Sequence, residues 1–105
     1  MTRVEFTRKI VSLLNDMIEH GDEPIIDYVK RSLAEQQRLF ALGRSKCDGI
    51  KKPSRHQYGK GMDIYFINEY GSIEWSPEIY EYWHKIWEKN YGGAKMIEWD
   101  KGHFE

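Results

Sequence analysis

Apolar side chains recur at Phe6, Ile10, Leu13, Leu14, Met17 and Ile18, the three-and-four spacing of an amphipathic helix. Thr2 and Glu5 precede this run as a T-x-x-E capping box, and Gly21 supplies a stop. Pro24 to Val29 is short, apolar and β-branched and predicts a strand. Ser32 with Glu35 forms a second capping box, opening a helix through Phe40 that ends at Gly43. Residues 44–60 are rich in Gly, Lys and Ser, include Pro53, and predict a long loop of the kind that often carries function. Gly61 to Ile67 alternates with period two as a strand; Asn68 to Gly71 is a turn, and Ile73 to Trp75 a returning strand. Ser76 then caps a helix that has Pro77 at its first position and Ile79, Trp83, Ile86 and Trp87 on one face. Asn90 to Gly93 ends it, and Ala94 to Trp99 and His103 to Glu105 read as two short strands around a tight link. The order of elements predicts an α+β domain over residues 1–105, with helices packed on a small, mostly antiparallel sheet.

Length and charge narrow the function. A chain of 105 residues makes one modest core and leaves no room for a multilayer enzyme. Sixteen basic residues against 17 acidic ones, with no basic stripe, argue against nucleic acid as a partner. Four tryptophans and seven tyrosines can build a core, and they can also line a site that grips sugars or peptides. The lone cysteine, Cys47, rules out an internal disulfide and a Cys-rich zinc site, and reads as an idle thiol. No stretch is long enough to span a membrane, and the first residues lack the apolar run of a signal peptide. The expectation is a protein made in the cytoplasm, with something else needed to let it out if its target lies outside.

Two segments carry the candidate chemistry. In SRHQYGKGMDIYF, residues 54–66, alternation puts Gly61, Asp63 and Tyr65 on one strand face, with the apolar set Met62, Ile64 and Phe66 on the other. Gly59 and Gly61 permit close approach beside Asp63, and His56 can fold back toward it. In EWDKGHFE, residues 98–105, Phe104 can anchor the core while His103 faces the same site. Two imidazoles and a carboxylate (His56, His103, Asp63) suit zinc, and three protein ligands leave a position for water, as in catalytic sites. Asp100, three residues from His103, is placed to take a proton from that water and return it to the leaving amine. A His-x6-Asp spacing also describes many surface or hydrogen-bonded pairs, so the residues alone leave a metal-free reading open. His20 and His84 read as a helix-end and a helix-face residue without chemistry.

Taken together, the halves resemble a known family. Ser54-x-His56-x-x-Gly59-x-Gly61-x-Asp63 is similar to the S-x-H-x-x-G-x-A-x-D motif of zinc peptidoglycan peptidases, with Gly61 for the usual alanine. These are the D-Ala-D-Ala carboxypeptidases, vancomycin-resistance dipeptidases and phage L-alanyl-D-glutamate endopeptidases, which share a fold with the Hedgehog signalling domain. Asp100-x-x-His103-Phe104 resembles their second motif, where the acid is Asp or Glu. Arg31, Ser32 and Gln36 match a Y-R-S-x-x-x-Q segment, and the WEKNYGGAKMIEWD run (87–100) is similar to the stretch before the second motif in endolysins. The likeness covers roughly residues 25–105; the chain is shorter than typical members and ends right after the second motif.

The resemblance implies that His56, Asp63 and His103 hold Zn2+, that Asp100 is general base and then acid, and that Arg31 polarises the scissile carbonyl and steadies the oxyanion. Without it, Arg31 reads equally as a surface salt bridge. Ser54 hydrogen-bonds near the metal or shapes its loop, and Gln36 binds substrate or supports helix packing. Tyr58, Tyr65 and Trp99 line a groove or pack in the core. The implied substrate is the stem peptide of peptidoglycan, cut by a monomer. Asp rather than Glu at position 100, with the endolysin-like run before it, favours the L-alanyl-D-glutamate endopeptidases over the D,D-carboxypeptidases. The signal-free start favours a bacteriophage or prophage lysin released by a holin. The rivals are a non-catalytic Hedgehog-like module that keeps zinc, and a metal-free α+β domain.

Overall fold

The computed structural model describes residues 1–27, 33–43 and 60–105. Helix α1 spans Arg3–His20. The Thr2 hydroxyl accepts from the Glu5 amide at 3.1 Å, and Gly21, at φ 101°, closes the other end by donating to the Ile18 carbonyl. Phe6, Ile10, Leu13 and Met17 are buried and Leu14 is partly so, whereas Ile18 points outward.

Strand β1 covers Pro24–Ile26, the first part of the predicted run; Tyr28 and Val29 lie outside the described residues. Helix α2 is Leu33–Ala41, and its predicted cap Ser32 lies outside the described residues. Strand β2, Met62–Phe66, is the middle of a three-stranded antiparallel sheet ordered β1-β2-β3. Its apolar alternation is the reason it is central: Met62, Ile64 and Phe66 all point into the core.

The predicted returning strand over Ile73–Trp75 reduces to one bridge between Ile73 and Ile67, because the turn releases the chain into the next helix. That helix, α3, runs Pro77–Tyr91. Ser76 occupies its N-cap position without a side-chain cap bond, and its amide instead donates to Glu74. The buried face is Tyr80, Trp83, His84 and Trp87, rotated from the predicted one, with Ile79 and Ile86 at its margins.

No strand forms over Ala94 to Trp99. An isolated bridge joins Ile97 to Asp100, and the Ala94 amide donates to the Glu105 carbonyl. Strand β3 is His103–Phe104 alone.

The molecule is thus α+β, with α1 and α3 packed against the sheet and the core between them. The polar tips of the large aromatics have partners: Trp83 Nε1 donates to Asp22, Trp87 Nε1 to the Glu105 carbonyl, Tyr80 to the Glu74 carbonyl and Tyr91 to Asp16. Gly93 lies flat against the Trp87 indole, where a Cβ would overlap the ring. Gly93→Ala is therefore expected to cost about 1–3 kcal/mol through overpacking. For a domain of this size that lowers the thermal midpoint by roughly 5–20 °C. Circular dichroism melting checks this, and an unchanged midpoint would mean that the indole moves freely.

Candidate metal centre

The site is built on the β2–β3 register. Antiparallel pairing sets Asp63 opposite His103 and Met62 opposite Phe104. One residue along each strand, the side chains change face: Met62 and Phe104 enter the core, and Asp63 and His103 meet on the other side. The ladder is closed by Ile64 N–H donating to the Gly102 carbonyl at 2.7 Å, and on the other flank Asp27 N–H donates to the Asp63 carbonyl at 2.9 Å. His103 Nδ1 lies 3.3 Å from Asp63 Oδ1. Both residues are buried, Asp63 4 % exposed and His103 7 %.

A tight turn brings in Asp100. His103 N–H donates to the Asp100 carbonyl at 3.1 Å, and Asp100 N–H donates to the Ile97 carbonyl at 2.9 Å. Gly102 makes the turn fit, since a Cβ there would lie 2.8 Å from the Tyr65 ring. Ligand atoms of Asp63, Asp100 and His103 consequently lie within 4.8 Å of one another, close enough to hold one metal ion. Two carboxylates and an imidazole are hard-to-borderline donors that suit a divalent cation such as zinc. The burial of Asp63 and His103 points the same way, because buried charges are paired or coordinate metals. The second ring nitrogen of His103, Nε2, has Glu105 Oε1 at 3.9 Å. That carboxylate stands near the second ring nitrogen but beyond hydrogen-bond distance. Burial, reinforced by the carboxylates of Asp63, Asp100 and Asp27, pushes the Tyr65 phenol well above its usual range, so it remains a neutral O–H donor at the rim.

The structure thus brings together three of the residues singled out in the sequence. Arg31, Ser54, His56 and Tyr58 lie outside the described residues, as does the side chain of Gln36 on α2. Trp99 stands at the surface beside the turn and does not join the core.

His84 is not the plain helix-face residue expected. It is 2 % exposed, its ring is stacked on Phe104 at 3.9 Å and 6°, and Nε2 lies 2.7 Å from the Lys101 carbonyl. Since a carbonyl only accepts, Nε2 carries the proton, and the imidazole braces the turn between Asp100 and His103. Its position three residues before Trp87 and four after Tyr80 is the signal that assigns it to the buried stripe. Burial pushes its pKa down to about 4, against a smaller opposing pull from the Lys101 carbonyl and with a slight further lowering from His103.

Between about pH 6.5 and 4 the unfolded chain therefore binds a proton at His84 that the folded chain refuses, so the His84 contribution to stability falls on acidification through that window and is level above it. His84→Gln removes this titration. In chelator-treated protein, the urea midpoint of wild type should drop more between pH 7 and 4.5 than that of the variant; equal drops would refute the assignment.

A scan against protein-family models finds no match, and a search of the curated proteins likewise returns none. Among the described residues, no helix is long and apolar enough to cross a membrane.

Proposed function

We infer that the chain is a zinc metallopeptidase that hydrolyses peptide bonds in the stem peptides of bacterial peptidoglycan, in the manner of L-alanyl-D-glutamate endopeptidases with a Hedgehog/DD-peptidase-like fold. The observation that carries this reading is the direct cross-strand pairing of Asp63 with His103 and the turn that delivers Asp100 to the same point. Those residues belong to the two motifs on which the family resemblance rests.

Asp63 and His103 would hold the ion together with His56, with Nδ1 of the His103 ring on the side of Asp63. A zinc ion bound there supplies Lewis acidity and brings the pKa of water down to about 7. Asp100 takes the proton of the water whose oxygen attacks the scissile carbonyl carbon. It then passes that proton to the amine nitrogen as the C–N bond breaks, so the products are a carboxylate end and a new amino terminus and Asp100 is regenerated. Arg31 meets the carbonyl oxygen as it gains charge, a task for a permanently charged fork. The neutral Tyr65 phenol can donate a hydrogen bond at the rim.

Zinc-loaded protein incubated with purified Gram-negative peptidoglycan is expected to release new amino termini over time. Fully metallated protein that releases none from any peptidoglycan would sink the enzyme reading and leave a zinc-holding binding module.

A further inference from the structure

The four tryptophans divide sharply. Trp83 and Trp87 are core residues, whereas Trp75 is 73 % exposed and Trp99 60 % exposed. Leaving two indoles largely in water forgoes the stabilisation that burying so large an apolar surface would give. Exposed large aromatics that converge on one place mark a binding surface. These two do converge, for both line a single cavity of about 240 Å³. Tyr65 and Tyr80 are further aromatic walls, with the Tyr65 ring 5.9 Å from that of Trp75 at 64°. Asp100 also lines the cavity, so the aromatic surface runs up to the residue assigned to proton transfer.

The charges at the rim select the ligand. Glu98, Asp100 and Lys101 line the cavity together, and Lys101 Nζ stands 4.0 Å from Glu98 and 3.9 Å from Glu81. A cation would meet the Lys101 ammonium, and an anion would meet two carboxylates. A neutral ring with one apolar face and a hydrogen-bonding edge meets neither penalty. Its C–H face rests on the electron-rich faces of the aromatics, while its edge finds both acceptors and a donor. The cavity has room for one such ring and is smaller than the pockets of roughly 300 Å³ upward that enclose drug-sized ligands.

We propose that Tyr65, Trp75 and Trp99 form a shelf for a pyranose ring of the glycan strand, so that the chain grips the sugar next to the peptide it cuts. This rests on the peptidoglycan reading above: the amino end of a stem peptide is joined to a sugar, which puts a pyranose within one residue of an L-alanyl-D-glutamate bond. A site that holds both parts would prefer peptide still attached to its glycan.

Trp75→Ala and Trp99→Ala test the shelf with little risk to folding, since neither indole is in the core. The probe is the β-1,4-linked tetramer of N-acetylglucosamine, which carries no peptide, titrated against tryptophan fluorescence in zinc-loaded and in chelator-treated protein. Wild type should give a saturable change in both forms, weakened about fivefold to tenfold in either variant. In hydrolysis, the preference for sugar-linked over free stem peptide, read as a ratio of kcat/KM, should fall by a similar factor. No saturable change at millimolar tetramer, or equal binding by wild type and both variants, overturns the shelf. So does a lysine-bearing peptide that occupies the cavity while the tetramer does not. The two readings fail separately: tetramer binding without any new amino termini removes the peptidase and keeps the shelf, whereas hydrolysis indifferent to the sugar removes the shelf and keeps the peptidase.

Discussion

Asp63→Asn is expected to cost the protein its metal and its hydrolysis while leaving the fold in place. Asparagine matches aspartate in shape, so the β2–β3 register that pairs position 63 with His103 survives. What disappears is the charge that makes a buried carboxylate a ligand. Losing even an outer-shell partner of a metal-binding histidine typically weakens affinity about 10–100-fold, so a direct ligand should cost at least the upper end of that range. Zinc titration by calorimetry should show this fall, release of amino termini should drop to background, and the thermal midpoint of chelator-treated protein should stay close to wild type. Zinc held by the variant with wild-type affinity would remove Asp63 from the centre.

Asp100→Asn separates holding the metal from using it. If Asp100 serves as the proton carrier, the variant keeps zinc and loses about 10²–10⁴ in kcat, the usual contribution of a positioned acid–base group. The geometry makes the experiment sharp, because the Asp100 carboxylate lies within 4.8 Å of ligand atoms on Asp63 and His103. A parallel loss of zinc affinity would make Asp100 a ligand and leave the proton to another group. Wild-type hydrolysis by the variant would contradict the mechanism outright.

Much of the architecture was legible because its signals are local. Thr2, Gly21 and Pro77 announce helix ends through backbone chemistry that needs no partner, and α1 and α3 begin and end close to those marks. The alternation over 61–67 likewise showed which β2 side chains enter the core, since a strand has only two faces. Asp63 and His103 were each legible as candidates from their own surroundings. Their meeting was expected only by joining the two segments through the family resemblance, because 40 positions separate them and register is a property of two strands together.

The misjudged stretches share that origin. Ala94 to Trp99 reads as a short strand, yet its pairing is limited to the Ile97–Asp100 bridge, and Gly93 is drawn flat against Trp87. On α3, bulk favoured Ile79 and Ile86 for the buried face, but packing turned the helix toward Tyr80 and His84, whose ring stacks on Phe104. His84, expected as a plain helix-face residue, braces the turn that carries His103. Trp75 drew no notice in the sequence because its significance lies in sharing a cavity with Tyr65, Trp99 and Asp100.

The central claim is that Asp63 and His103 share one divalent ion. X-ray absorption at the zinc edge of the zinc-loaded protein tests it most directly. A shell of nitrogen and oxygen at about 2.0–2.1 Å, with imidazole scattering that diminishes in His103→Ala, is the result this account predicts. A sulfur shell at about 2.3 Å, which only Cys47 or a methionine could supply, or an imidazole signal indifferent to His103→Ala, would contradict it.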